Sequence, residues 1–513
     1  MTSQCQTLIT GGRVVDPRHH IDEVLTIGIT DGRIVHVDSE PITAAHTIDA
    51  TGFVVAPGFV DMHSHAQNEI GHLLQAYDGV TTSLELECGA APLNHTLNAA
   101  ADEGRALNYG YSASWLLARM IVMEGMDSDQ VARLPALPLE MFSALQGSGN
   151  WSKPASEEER RDIIELVSQQ LDDGAIGIGV LLGYAPAIDS AELHALARLA
   201  AERNTTLFVH ARYGAEIEGH TAHESVAELV ELSESTGVRI HICHFASSNA
   251  GDGEESARVL SDAIERGLPM TTESYPFEFA STVIGADFLS PETLQSNGTP
   301  ASTITYLPGS EQMSSYDRLA ELRAQDPGGL CLIRYYGPDL SVGVDELLST
   351  LSFPGAAIAS DAMPLTRLTG GDEGNPFPTV LPVPTGYAVH PRSGSCFIRA
   401  IAWLHRDTGL MDLSDVISRS SDIPARILAR SAPAFEAKGH LGVGADADIV
   451  IVDIDAAEPR TDPTPVMTAD GVVHLLVNGE MLIENRQISR AAVTKGGRAL
   501  LASASGTEQE GTQ

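Results

Sequence analysis

The stretch GFVDMHSHAQ, residues 58–67, sets His63 and His65 two positions apart at the end of an apolar run that also carries Asp61. Phe59, Val60 and Met62 read as a strand entering a core. In an extended strand residues i and i+2 face the same way, so both imidazoles can reach one metal ion. A polar strand end with two ordinary histidines is the competing reading, and the rest of the chain has to decide between them.

Working outward, the middle of the chain alternates strand-like and helix-like segments, the pattern of parallel β/α architecture. Eight candidate strands follow in order: GFVDMHSH (58–65), TTSLELECG (81–89), YGYSASWLLA (109–118), AIGIGVLLGY (175–184), TTLFVHARY (205–213), VRIHICHFA (238–246), LPMTTESYPF (268–277) and GAAIASDAM (355–363). Eight is the number that closes a (β/α)8 barrel. Between the fifth and sixth, Val226, Leu229 and Val230 have the i, i+3, i+4 spacing of a covering helix. Residues of about 286–350 exceed what one β/α connection needs and predict an insertion between strands seven and eight.

Both ends of the chain read as short strands and turns. TLITGGRVVD, EVLTIGITDGRIVHVD and HTIDATGFVVAPG precede the barrel; GHLGVGADADIVIVD and VVHLLVNGEMLIENRQ follow it, with Asp31-Gly32 and Asn478-Gly479 as hairpin signals. The predicted fold is α/β: a TIM-like barrel over 58–429, a small β-sandwich composed of 1–57 plus 430–498, and a small, polar, disordered tail over 499–513.

Metal-capable side chains recur at the C-terminal ends of these strands: His63 and His65 on the first, Glu87 and Cys88 on the second, His210 on the fifth, His244 on the sixth and Asp361 on the eighth. In a barrel those ends converge on one mouth, where active sites lie. Singly, Cys88 reads as a small buried hydrophobe, His244 as a core histidine and Asp361 as a turn cap. Together they read as a metal site. Imidazole and carboxylate with an optional thiolate suit Zn2+, one ion or two, better than Mg2+ or Ca2+. Zinc with an open position activates water, and Asp361 is the carboxylate that would carry the proton.

The bulk composition points the same way. The formal charge of −38 argues against nucleic acid and anionic membrane surfaces as partners and leaves a small-molecule substrate. Five cysteines without framework spacing predict a reducing, cytoplasmic setting, and no apolar run approaches a membrane span. A homo-oligomer is left open.

These motifs, over nearly the whole chain, resemble the metal-dependent amidohydrolase superfamily, and within it the N-acyl-D-amino-acid deacylases or D-aminoacylases. APGFVDMHSH, GVTTSLELECG, VHARYG with Arg212, HICHF, ESYPFEFAST, SDAMP, HPRSG and GADADIVIVD stand in that family's order. The resemblance implies a bridging cysteine at Cys88, Asp361 as catalytic aspartate, and Arg392 of HPRSG overhanging the mouth to grip a substrate carboxylate, with Arg212 as the next candidate. Tyr184, Tyr275 and Ser281 are further candidates for holding the substrate. Two departures matter. The fourth strand carries no lysine that could be carboxylated to bridge two metals, so bridging falls to Glu87 or Cys88, and Ala246 stands where the family tends to carry a lysine. The expected activity is hydrolysis of a linear amide in an N-acyl-D-amino acid. The rivals are cyclic amide hydrolysis, as in dihydroorotases and hydantoinases, and a non-catalytic metal-binding scaffold.

Overall fold

The computed structural model describes residues 4–40, 42–214, 220–336, 343–370, 377–489, 493 and 496–502. Its centre is an eight-stranded parallel sheet of Phe59–Asp61, Val80–Ala90, Asn108–Ser114, Ile178–Leu181, Thr206–His210, Arg239–Ile242, Met270–Ser274 and Ala357–Ile358, paired in chain order. Each coincides with one of the eight segments read from sequence. The third is shorter than its segment, because Ser114 caps a helix, Trp115–Met123, by accepting a hydrogen bond from the Leu117 N–H.

The ring closes through a bridge between Ser64 and Ala362, with the His65 amide donating to the Ala362 carbonyl at 2.7 Å. Asp61 clips this seam. Its carboxylate accepts from the Ser360 amide (3.0 Å), the Gln75 side chain (2.7 Å) and the Ser360 hydroxyl. It also accepts weakly from the His63 amide, at 3.3 Å. Burial pushes the Asp61 carboxyl up to about 7, against the lowering effect of these hydrogen bonds. Asp61 therefore joins the first strand to the eighth just below His63. The helix Ala222–Thr236 buries Val226, Leu229 and Val230 against the barrel.

Strands from both ends of the chain form two further sheets. One holds Gln4–Thr10, Thr26–Thr30, Arg33–Asp38 and Thr43–Asp49; the other pairs Ile449–Val452 with Val54–Pro57 and carries Val472–Val477 and Glu480–Glu484. Ile9, Ile27, Val14, Val55, Ile449 and Leu476 form the core between them. Buried Lys438 lies 2.9 Å from Asp446 and 2.7 Å from Asp448, and Asp448 also accepts from Asn108 of the third barrel strand. That network ties the sandwich to the barrel.

Two boundaries differ from those expected. Residues 499–502 do not begin a disordered tail: Ala499 bridges to Tyr109, and the Leu500 amide donates to the Tyr109 carbonyl with its side chain buried. Pairing to a barrel strand satisfies that backbone, which composition alone cannot reveal; residues 503–513 lie outside the described residues. The insertion also starts earlier than 286. Ala280–Val283 pairs with Leu330–Ile333, which pairs with Ile304–Tyr306, so the excess chain builds an antiparallel sheet of its own beside the mouth.

Candidate metal centre

Strand alternation and barrel closure bring the four strand-end histidines together around one carboxylate. Glu87 Oε1 lies 2.7 Å from His244 Nε2 and 3.0 Å from His210 Nδ1, while Oε2 lies 3.3 Å from His63 Nε2 and 3.6 Å from His65 Nε2. Asp361 Oδ1 stands opposite, 3.6 Å from His63 Nε2 and 3.4 Å from His65 Nε2. The donors thus fall into two groups, His63, His65 and Asp361 on one side and Glu87, His210 and His244 on the other. The Glu87 carboxylate reaches both.

Cys88 is buried and lines the same pocket, yet its sulfur joins neither group. Burial, reinforced by the Glu85 and Glu87 carboxylates, pushes its thiol well above the usual range. Its neighbour Glu85 faces the Glu87 side, as alternation requires, and serves a different purpose.

Glu85 and Glu273 orient the first pair of histidines. Glu85 Oε2 accepts from His65 Nδ1 at 2.7 Å, and Glu273 Oε1 accepts from His63 Nδ1 at 2.5 Å. With Nδ1 protonated by these bonds, each ring presents the Nε2 lone pair to the centre, the arrangement by which carboxylates fix metal-ligating imidazoles. His244 is held from behind by Ser248, whose hydroxyl lies 2.8 Å from Nδ1. Sequence reasoning passed over Glu273, although a glutamate inside a barrel strand, TTES, was the available signal.

The electrostatics match this donor set. Burial opposes a charge on His63 and His65, but the surrounding carboxylates outweigh it, raising His63 well above its ordinary value and His65 to about 10. Burial would raise Asp361 and Glu87; Arg392 and the histidines instead hold Asp361 below the carboxylate range, and His63, His244 and His210 do the same for Glu87. Four carboxylates around four imidazoles make a pocket that calls for added positive charge, and the residues fit a zinc ion or a pair of them. His244 and Asp361 both have left-handed backbones, with φ of 32° and 49°. Such strain in non-glycine residues costs about 1–3 kcal/mol each and gathers at functional sites.

The substrate-side candidates divide. Arg392 is wholly buried and does not overhang the mouth, because HPRS turns tightly: His390 Nδ1 accepts from the Arg392 amide, and Nε2 donates to the Phe279 carbonyl. Its guanidinium lies over the Tyr275 ring at 4.5 Å, donates to the Asp361 carbonyl at 2.6 Å and pairs with Asp361 Oδ1 at 2.7 Å. Its Nη1, the Tyr275 hydroxyl and the Ser281 hydroxyl are all buried without a hydrogen-bond partner among the described residues. Arg212 lines the pocket, but its guanidinium is engaged by Glu228 and the Pro186 carbonyl. Tyr184 packs on His210 and bonds Thr282 at 2.5 Å. Leu139, Phe142, Phe288 and Leu294 give the same pocket an apolar wall.

Comparison with known proteins agrees with this architecture. N-acyl-D-glutamate deacylase of Alcaligenes xylosoxydans xylosoxydans is 25% identical over 93% of this chain and 94% of its own length. D-aminoacylase of the same organism is 25% identical over 92% and 93%. The crystal structure of N-acyl-D-glutamate deacylase from Bordetella bronchiseptica, complexed with zinc and a phosphonate mimic of the tetrahedral intermediate, superposes with a TM-score of 0.73 at 22% identity. It covers 98% of this chain and all of that one. Residues 46–322, more than half of the chain, match the profile described as the amidohydrolase family. With that match and its barrel in view, the chain belongs to the amidohydrolase family.

Proposed function

We propose that this enzyme is a zinc-dependent deacylase of N-acyl-D-amino acids, and that His63, His65, Glu87, His210 and His244 hold the metal. The observation that carries the reading is the Glu87 carboxylate, within 2.7–3.6 Å of a ligand nitrogen on each of the four histidines. Were two ions held, it would be placed to bridge them, a role the lysine-free fourth strand cannot fill. Cys88 is the alternative bridge. The similarity to the two deacylases over nearly their whole length supports the substrate class.

A bound zinc ion supplies Lewis acidity and lowers the pKa of water toward about 7. Asp361, kept ionised by Arg392, accepts the proton of the attacking water and delivers it to the leaving nitrogen, so the amine departs neutral. The free donors of Tyr275, Ser281 and Arg392 receive the substrate carboxylate, and Tyr184 shapes the wall beside His210. The apolar wall accommodates the acyl chain. The missing fourth-strand lysine counts against cyclic amide hydrolysis, and the retained Asp361 against a non-catalytic scaffold.

The same reading puts the enzyme in the cytoplasm, supported by five free, buried cysteines, and acting on a small molecule, singly or as a homo-oligomer. No helix among the described residues is long and apolar enough to cross a membrane. The test is a panel of N-acetyl D- and L-amino acids beside hydantoins, with metal analysis on the same preparation. Turnover confined to the D series with zinc bound supports the proposal; turnover of hydantoins alone, or none with zinc bound, refutes it.

A further inference from the structure

From a second group of metal-capable side chains, in the composite sandwich, we infer that His19 and His440, with Asp16 behind His19, bind a divalent transition-metal ion of the zinc class that clips the two ends of the chain together. The inference is independent of the deacylase reading. Asp16, His19 and His440 each offer a ligand atom within 4.8 Å of the others, and among the described residues this is the one such group outside the catalytic cluster.

Both ends of the chain build it. Strand Arg13–Asp16 turns at Pro17–His19, where Asp16 caps the turn by accepting from the Arg18 amide at 3.1 Å. Asp16 is wholly buried and also accepts from the Leu441 amide at 2.8 Å, across 425 positions, which sets His440 beside the turn. The His19 and His440 ring centroids stand 5.2 Å apart. The charge of Arg18, in the same turn, is paired with Asp422 at 2.6 Å.

Hydrogen bonding leaves one nitrogen of each neutral ring for an ion. His19 Nδ1 lies 2.7 Å from Asp16 Oδ2, and a carboxylate only accepts, so Nδ1 carries the proton and Nε2 keeps its lone pair. His440 Nε2 donates to the Glu436 carbonyl at 3.0 Å, so its Nδ1 keeps the lone pair. The Gly442 amide donates to that lone pair at 3.2 Å, a bond that an ion replaces.

Gly442 marks the point on which the two nitrogens converge. Its φ is not left-handed, so the backbone does not demand glycine, yet a Cβ there would fall 2.7 Å from His19 Nε2 and 3.1 Å from His440 Nδ1. Any other residue would fill the space that they flank. Zinc–nitrogen bonds of about 2.0–2.1 Å set two ligand nitrogens roughly 3.3 Å apart in a tetrahedral site, a spacing that a small turn of the exposed His19 ring supplies. Asp16 then fixes His19 as Glu85 fixes His65, and water completes the coordination. The chain's net charge of −38 favours the cation.

The test is zinc titration of the full chain against a chromophoric chelator, begun once the catalytic centre is loaded, with thermal unfolding on the same samples. Wild type should take up one further equivalent at micromolar free zinc, and its unfolding midpoint should rise over the same range, because a ligand held only by the folded chain stabilises it. The His19→Gln, His440→Gln double variant should lose both the equivalent and the rise while keeping the kcat of the wild type. Both side chains reach the surface, so their replacement spares the fold. Gly442→Ala keeps the two histidines but fills the space between them, and should weaken this uptake by about 10- to 100-fold.

Equal uptake by wild type and double variant overturns the site. Loss in the double variant but not in Gly442→Ala, or uptake at millimolar zinc alone, marks adventitious binding by exposed imidazoles and overturns it as well. Uptake without a rise in the midpoint overturns the clip.

Discussion

Replacing Glu273 with glutamine isolates the effect of one buried charge behind a metal ligand. Glu273 lies 2.5 Å from His63 Nδ1 and 3.3 Å from His241 Nε2, and it is 1% exposed. The histidines hold its carboxyl down at about 2 although burial would raise it. In Glu273→Gln the amide oxygen can still accept from His63 Nδ1, and the amide NH2 can donate to His241 Nε2, whose ring bonds Thr271 through Nδ1. Shape and hydrogen bonds survive; the charge that makes the His63 imidazole more basic does not. Loss of such a partner typically costs 10- to 100-fold in metal affinity, or about 1.4–2.7 kcal/mol. The short, water-excluded contact places this variant toward the upper end. Glu273→Ala, by contrast, strands two buried ring nitrogens at about 1–3 kcal/mol each and should lower thermal stability as well. The assay is zinc competition against a chromophoric chelator on metal-stripped protein, with thermal unfolding on the same samples and Glu85→Gln as the matching probe of His65. Zinc affinity within twofold of wild type for a well-folded Glu273→Gln protein would refute the claim that this carboxylate tunes the centre.

Three further outcomes are expected. Glu87→Gln should lose bound zinc as read by elemental analysis, whereas Cys88→Ser should keep most of it; the opposite ranking would move the bridge to the thiol. Asp361→Asn should retain at least one metal while kcat falls by about 10² to 10⁴, the usual worth of a positioned general base; a near-normal kcat removes it from the proton path. Arg392→Lys cannot keep both the Asp361 contacts and a free donor, so kcat/KM should fall about 10- to 150-fold on free N-acyl amino acids and less on their amides. Equal losses on acids and amides would make Arg392 a positioning residue for Asp361 alone.

The parts of this site that could be read from sequence are those governed by strand periodicity. Two-residue alternation put His63 and His65 on one face, and the convergence of parallel strand ends gathered Glu87, His210, His244 and Asp361, hundreds of residues apart. What alternation cannot supply is which side chains meet across the barrel. Glu273 reaches His63 across 210 positions only once the eighth strand has closed on the first at Ser64 and Ala362. Arg392 likewise reads as a mouth residue because it follows a strand end, yet a tight turn folds it under Asp361. The short pairing of residues 499–502 depends on an open strand edge at Tyr109, which their own composition does not encode.

That division bears on what the pocket is for. His63, His65 and His244 are each held from behind by a carboxylate or a hydroxyl, so these three rings are oriented before any ligand arrives. The neighbouring side differs: the Tyr275 and Ser281 hydroxyls and Arg392 Nη1 are buried without a partner among the described residues. A buried polar group left unpaired costs about 1–3 kcal/mol, so three together weigh heavily against the 5–15 kcal/mol by which folded proteins are ordinarily stable. Phenylalanine at position 275 and alanine at position 281 would remove that cost there if stability were the only demand, whereas Arg392 is also needed to pair with buried Asp361. Retaining three donors, on Arg392 and on the two residues in contact with it, beside the aspartate expected to move the proton therefore argues that the cost is offset by a ligand with acceptor oxygens. A substrate carboxylate beside a scissile amide meets that requirement, and neither a bare metal scaffold nor an apolar ligand does.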